Sequence, residues 1–183
     1  EVDQAKAFAL ASKSPATLRA YASAWRSFTA WCESRGASFL PADPNLVAVY
    51  LSSLAQSRKV PTVEKHLAAI AEAHRLKRLT PPSIDPAVVT VMKGIRREIG
   101  IAKAGKKALV LSELRKVLAS TPNNLMGCRD RAILLLGFAG ALRRSELVGL
   151  EVHDLSFEDA GIVMCIKRSK SDQEGQGVHL GVP

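Results

Sequence analysis

Three side chains in the second half of the sequence, Arg143, Glu146 and Lys170, have the types and spacing to do chemistry on an anion. Arg143 follows an apolar stretch and the small residues Gly140 and Ala141, a setting in which a guanidinium can be buried at a turn. A buried guanidinium demands an acidic partner. Glu146 lies three residues on, on the same face if the segment is helical, and can hold it by a charge-assisted hydrogen bond. Such a pair is either an ordinary structural ion pair or a fixed cation in an active site, and these two residues alone leave both readings open. Lys170 stands in the turn-like run Arg168-Ser-Lys-Ser-Asp-Gln-Glu-Gly-Gln-Gly177, from which a long cationic side chain can swing into a neighbouring site. Taken singly it is a surface lysine.

The elements around these residues are legible from caps and periodicity. Ser14-Pro15 reads as a helix start and Gly36 as its stop, with Leu18, Tyr21, Trp25, Phe28 and Trp31 or Cys32 forming one apolar stripe. Asp43-Pro44 opens a second helix and Pro61-Thr62 precedes a third, with Val63, Leu67, Ile70 and His74 on one side. Asp85-Pro86 starts a fourth that runs through Ile99. Four helices therefore fill residues 14 to 99. The run Gly100-Ile-Ala-Lys-Ala-Gly-Lys-Lys107 has no helical stripe and reads as a flexible cationic connection, placing a domain boundary near residue 104. Beyond it, Ser112 is expected to cap a short helix, and Asn123 or Asn124 to begin a strongly apolar one expected to be central and buried. Val152 to Phe157 and Gly161 to Arg168 read as strands, with Val178 to Val182 returning antiparallel. The fold class is mainly α, a four-helix domain over 1–104 followed over 105–183 by an α+β part with a small antiparallel sheet.

Charge is concentrated in one place. The chain of 183 residues carries 26 Lys and Arg against 17 Asp and Glu, a formal net charge of +9. Residues 58–107 hold 12 basic side chains against Glu64, Glu72, Asp85 and Glu98, so this stretch contributes 12 − 4 = +8. A band of that density suits a polyanion, although a solvated helix face has the same composition. A hydrophobic fraction of 47% supplies a core and argues against disorder. The longest apolar run, Ala132 to Leu142, is far shorter than the roughly 20 residues of a membrane helix, and no secretory signal is visible. Cys32, Cys128 and Cys165 lack disulfide or zinc-ligand spacing, which fits a reducing cytoplasm.

Taken in order, a cationic helical domain, a basic linker, an apolar helix ending in Leu-Arg-Arg-Ser-Glu-Leu147 and a hairpin with lysine at its turn resemble the tyrosine site-specific recombinases, or phage integrase family. The resemblance covers nearly the whole chain. Ser14-Pro-Ala-Thr-Leu-Arg-Ala-Tyr21, Pro81-Pro82 and Lys93-Gly-Ile-Arg-Arg97 are similar to the family's SAM-like core-binding domain. Arg129 to Leu147 resembles its first catalytic-arginine region, and Ser169-Lys-Ser-Asp-Gln-Glu-Gly175 its catalytic-lysine hairpin.

The resemblance implies that Arg143 is the first catalytic arginine, Glu146 its supporting acid, and Lys170 the acid that protonates a leaving 5′ hydroxyl. A phosphodiester under attack gathers charge on its nonbridging oxygens, which a fixed guanidinium stabilises bidentately, while a nearby acid eases alkoxide expulsion. No metal or other cofactor is then called for. It further implies a double-stranded DNA partner, a tetramer of the parent enzyme on two duplexes, no membrane, and a cytoplasmic, nucleoid-associated location. The expected DNA contacts are Arg58, Lys59, Thr62 and Lys65 around the start of the third helix, Arg96 and Arg97 at the end of the fourth, and Lys103, Lys106 and Lys107 in the linker.

The departures from the family pattern matter equally. No histidine is followed by arginine three residues later, and Tyr21 and Tyr50 fall in helices of the first domain, where both read as core aromatics. The expectation is a fragment, monomeric when free and inactive alone, since a charged pocket lowers the barrier only if something attacks the phosphorus. Two rivals share the charge pattern. One is a non-catalytic helical DNA-binding regulator using Arg143 to Leu150 as part of a recognition helix. The other is a helical module for an acidic protein partner. A catalytic Arg143 should be recessed and held by Glu146, whereas a recognition arginine should project.

Overall fold

A computed structural model describes residues 4, 11–102, 105, 107–169, 172 and 175–183. Among them the chain is mainly helical with one small antiparallel sheet. It divides into two compact units, Glu1–Ala104 and Gly105–Pro183.

The first unit holds helices α1 (Pro15–Glu33), α2 (Pro44–Ala55), α3 (Val60–Leu76) and α4 (Pro86–Ile99). Side-chain caps set three of the four starts: Ser14 accepts from the Thr17 amide, Asp43 from those of Asn45 and Leu46, and Asp85 from that of Ala87. Each cap is worth about 1 kcal/mol and precedes a proline that has no amide to leave unsatisfied. The α3 helix begins ahead of Pro61-Thr62, which were expected to precede it and lie inside its first turn instead. Val60 takes the first position and Pro61 the second, where its missing amide costs nothing.

Helix α1 packs on α3 and α2 on α4. Phe28, Cys32, Val47, Tyr50, Leu51, Val63, Ile70, Val88 and Met92 meet in the core between them. Each large apolar side chain buried there contributes roughly 1.5–3 kcal/mol. The α1 stripe is core only over its second half. Leu18, Tyr21 and Trp25 line an open apolar cavity of about 360 Å³ against α3, so Tyr21 is half-buried and not a core aromatic. Tyr50 is a core aromatic at 2% exposure. His74 is also buried, its Nδ1–H donating to the Ile70 carbonyl at 2.7 Å and its Nε2 accepting the Ala42 amide at 3.0 Å.

The second unit holds α5 (Leu111–Ala119), α6 (Leu125–Ala139), the single turn α7 (Arg144–Leu147), and strands β1 (Leu155–Glu158), β2 (Gly161–Ile166) and β3 (Val178–Val182). The sheet has order β1-β2-β3 with both pairs antiparallel, Leu155 opposite Met164 and Ile166 opposite Val178. Asn124 caps α6 through the Gly127 amide at 2.9 Å. Ser112 does not cap α5. Val110 is the cap residue, and Glu113 reaches back to its amide at 3.4 Å. Val152–Asp154 is a short 3₁₀ turn, and β1 starts only at Leu155.

The expected burial of α6 is not met. Ile133, Leu135 and Phe138 are all exposed, and among the described residues of this unit Leu114, Met164 and Ile166 are its buried apolar side chains. An almost uniformly apolar helix has no face of its own, so its burial depends on what packs against it.

Candidate functional site

The turn that delivers Arg143 is a strained helix ending. At the end of α6, the Leu142 amide donates to the Gly137 carbonyl at 3.1 Å and the Ala141 amide to that of Phe138 at 3.3 Å. This double bond pattern wants a left-handed residue after the helix, usually glycine. Ala141 fills the position at φ +47°. Gly140 cannot grow either, because a Cβ there would lie 2.9 Å from Met164 Cε and 3.0 Å from the Leu136 carbonyl oxygen. The chain therefore reverses sharply between α6 and α7.

Arg143 is the cap residue of α7, and Glu146 grips it twice. The Arg143 amide donates to Oε2 at 2.8 Å and its Nη1 to Oε1 at 2.7 Å. The Glu146 side chain is 7% exposed and that of Arg143 is 52% exposed. The guanidinium is thus held by a buried acid, as expected, but is not itself recessed. Its two hydrogen bonds keep the Glu146 carboxyl below the usual carboxylate range, against the opposing effect of burial. The arrangement is a fixed cation with an open outer edge, suited to an oxyanion.

Glu146 also lines a cavity of about 350 Å³ together with Ser145, Cys165, Lys167 and Arg168. Lys167, just beyond β2, donates to Asp154 Oδ1 at 2.7 Å and to His153 Nε2 at 2.9 Å. The Asp154 side chain is 3% exposed and accepts the Glu151 amide at 3.0 Å. Hydrogen bonds from Lys167 and from that amide depress its pKa. Beyond Lys167, Asp172 accepts the amides of Gly177 at 2.8 Å, Gly175 at 2.9 Å and Gln176 at 3.1 Å. These amides hold its carboxyl below the ordinary range. Lys170 lies outside the described residues.

The expected contact positions of the first unit that lie among the described residues gather at one end. Arg58 and Lys59 precede α3, Thr62 and Lys65 lie in its first turns, and Arg96 and Arg97 lie in the last turn of α4. Lys59, Pro61, Ile99 and Gly100 line one cavity of about 420 Å³, which brings the α3 start beside the α4 end. Arg96 is paired with Glu64 at 2.8 Å, while Arg58, Lys59, Lys65 and Arg97 are exposed. In the second unit Lys107 is paired with Glu113 at 2.6 Å. Lys103 and Lys106 lie outside the described residues.

Two features escaped the sequence reading. Asp154 and Lys167 are 13 residues apart with nothing in their spacing to link them; the β1–β2 register is what joins them. Arg168 was visible in the hairpin run, but only the cavity marks it out. No helix among the described residues is long and apolar enough to cross a membrane.

The chain is 38% identical over 177 residues to an integrase/recombinase XerD homolog of Selenomonas ruminantium, covering 94% of this chain and 52% of that protein. It is 30% identical over 170 residues to the recombinase Cre of Escherichia phage P1, covering 88% of this chain and 49% of that protein. No family model matches. The chain belongs to the tyrosine recombinase family, and it spans about half the length of the curated relatives it matches.

Proposed function

We propose that this chain is the DNA-holding portion of a site-specific recombinase and contributes part of the pocket that activates the scissile phosphate. In this reading residues 1–104 form the SAM-like core-binding domain and residues 105–183 the first part of the catalytic domain. Arg143 stabilises the nonbridging oxygens, Glu146 fixes Arg143, and Lys170 is the acid for the leaving group. The phosphate's charge is met by a guanidinium and an ammonium, and the proposed step uses no metal. In the complete enzyme a tyrosine oxygen gives up its proton to solvent and bonds to phosphorus, the bond from phosphorus to the 5′ oxygen breaks, and that oxygen takes a proton from the Lys170 ammonium. The product is a 3′-phosphotyrosyl link with a free 5′ hydroxyl.

The observation that carries this reading is the grip of Glu146 on both the amide and the guanidinium of Arg143. It holds one edge of the cation and leaves half the side chain open to a ligand. The rival reading of Arg143 to Leu150 as part of a recognition helix is disfavoured, because α7 has four residues and is too short to lie in a groove.

Duplex DNA is held through Arg58, Lys59, Thr62, Lys65, Arg96 and Arg97, with Lys103, Lys106 and Lys107 along the linker. For the first six, support comes from their shared end of the first unit and from the α3 start, where the cap residue Lys59 offers no side-chain acceptor to the first amides. Tyr50 cannot serve as nucleophile. Its hydroxyl is bonded to His66 Nδ1 at 2.7 Å within the core, and burial pushes its pKa up to about 12. The complete enzyme works as a tetramer on two duplexes, and this chain alone is a monomer.

The test is a suicide duplex, nicked so that a cleaved end diffuses away, incubated with the 183-residue chain. The chain should shift the duplex on a native gel and give no heat-stable covalent band on a denaturing one. A covalent adduct, or no binding even at low salt, would overturn the proposal.

A further inference from the structure

The strut between Asp154 and Lys167 is unexplained by the function proposed above. Asp154 ends the 3₁₀ turn before β1, and its side chain is 3% exposed. Lys167 is the first residue past β2, directly after the last rung of the sheet at Ile166 and Val178. One carboxylate oxygen takes the Glu151 amide at 3.0 Å and the other the Lys167 ammonium at 2.7 Å. That ammonium has a second acceptor in His153 Nε2 at 2.9 Å and lies 3.9 Å from Glu151. A carboxylate taken from water this completely gains little over an apolar pair of the same size, so stability alone is a weak reason for it.

Its place suggests a different reason. The strut fixes the residue at which the chain leaves the sheet. The returning leg is fixed separately: Asp172 gathers the amides of Gly175, Gln176 and Gly177, and exchanges bonds with Ser169, whose Oγ accepts the Asp172 amide at 3.0 Å and whose own amide donates to the Asp172 carbonyl at 3.2 Å. Eleven residues, 167 to 177, separate the two strands. An untethered loop of that length would have to lose conformational entropy before presenting any one side chain to a reacting atom.

We propose that Asp154 is a positioning residue for the leaving-group acid: through Lys167 it sets where the hairpin carrying residue 170 departs from the sheet. This rests on the assignment of Lys170 made above. The step served is proton transfer from the Lys170 ammonium to the departing 5′ oxygen as its bond to phosphorus breaks.

The experiment measures single-turnover cleavage by the full-length recombinase on two suicide duplexes, one with the natural bridging 5′ oxygen and one with sulfur in its place. A thiolate leaves without a proton, so only the oxygen substrate needs the acid. Lys170→Ala should lose cleavage of the oxygen duplex and keep that of the sulfur duplex. Asp154→Asn and Lys167→Met should follow the same pattern, slower by roughly 10- to 100-fold on oxygen and within about twofold of the parent on sulfur. Lys167→Arg should retain most activity on both. The strut is refuted if Lys170→Ala behaves as described while Asp154→Asn cleaves the oxygen duplex at the parent rate. It is equally refuted if Asp154→Asn slows both duplexes alike, which marks a merely structural role. Equal losses for Lys170→Ala on the two duplexes overturn the assignment of Lys170, and the strut's role with it.

Discussion

Glu146 holds Arg143 by backbone and side chain at once, with Oε2 2.8 Å from the amide nitrogen and Oε1 2.7 Å from Nη1. One carboxylate therefore fixes both where the helical turn begins and where its first cation points. Replacing it by glutamine keeps an acceptor for the amide but loses the charge-assisted bond. Glu146→Gln is expected to lower strand cleavage by the full-length recombinase about 10- to 100-fold while the far-ultraviolet circular dichroism of the chain is unchanged. Unaltered cleavage would make the pair purely structural.

The charged end of the first unit is a claim about phosphates, so salt should read it out. Lys59→Ala and Lys65→Ala are each expected to flatten the slope of log affinity against log salt for a duplex by about 0.9, the value for one lost phosphate contact. Arg96 is already engaged by Glu64, and Arg96→Ala should flatten the slope less. Fluorescence anisotropy from about 50 to 200 mM salt measures this. Unchanged slopes for both lysines would remove the α3 start from the interface.

Backbone strain ahead of Arg143 gives a pair of opposite outcomes. Ala141 sits at φ +47°, where glycine is free of the Cβ clash, so Ala141→Gly should raise the stability of the second unit by roughly 0.5–1 kcal/mol. Gly140→Ala should destabilise it, since the new Cβ meets Met164 Cε at 2.9 Å and carbonyl oxygen at 3.0 Å. Urea midpoints of the two variants against the parent decide the signs.

The hydrogen bond between Tyr50 and His66 makes the first unit sensitive to both acid and alkali. Burial lowers the His66 pKa, with Lys65 and Arg58 adding to the effect. The folded state then binds fewer protons than the unfolded one, and stability declines as pH falls below the ordinary histidine value of about 6.5. Burial raises Tyr50 to about 12. That contribution is full below the unfolded value near 10 and is lost as pH climbs from there toward 12. Thermal melts of Tyr50→Phe should lack the alkaline decline. Retention of that decline would assign it elsewhere.

How much of this was legible in the sequence follows from the range of the forces involved. Helix starts governed by a side chain and an amide two or three residues away, as at Ser14, Asp43 and Asp85, were read correctly because the whole interaction lies within one turn, and at the fourth such start Asn124 is the one of the two adjacent asparagines that caps. The pairing of Arg143 with Glu146 was legible for the same reason. Ser112 misled because a serine near a helix start is only one of several ways to satisfy the first amides, and Glu113 does that work from inside the helix. The exposure of α6, the cavity beside Tyr21 and the strut between Asp154 and Lys167 depend on contacts between distant segments. Periodicity and spacing carry no information about those. Lys170 came from the hairpin motif alone.

Single-turnover cleavage of a suicide duplex by the full-length recombinase, parent against Arg143→Ala, bears on the whole account. With the guanidinium serving the phosphate in the transition state, the rate at saturating enzyme should fall by about 10²- to 10³-fold while duplex affinity stays within about threefold. A rate equal to the parent's, or a loss fully recovered by raising enzyme concentration, would contradict it and leave Arg143 as an ordinary binding or structural side chain.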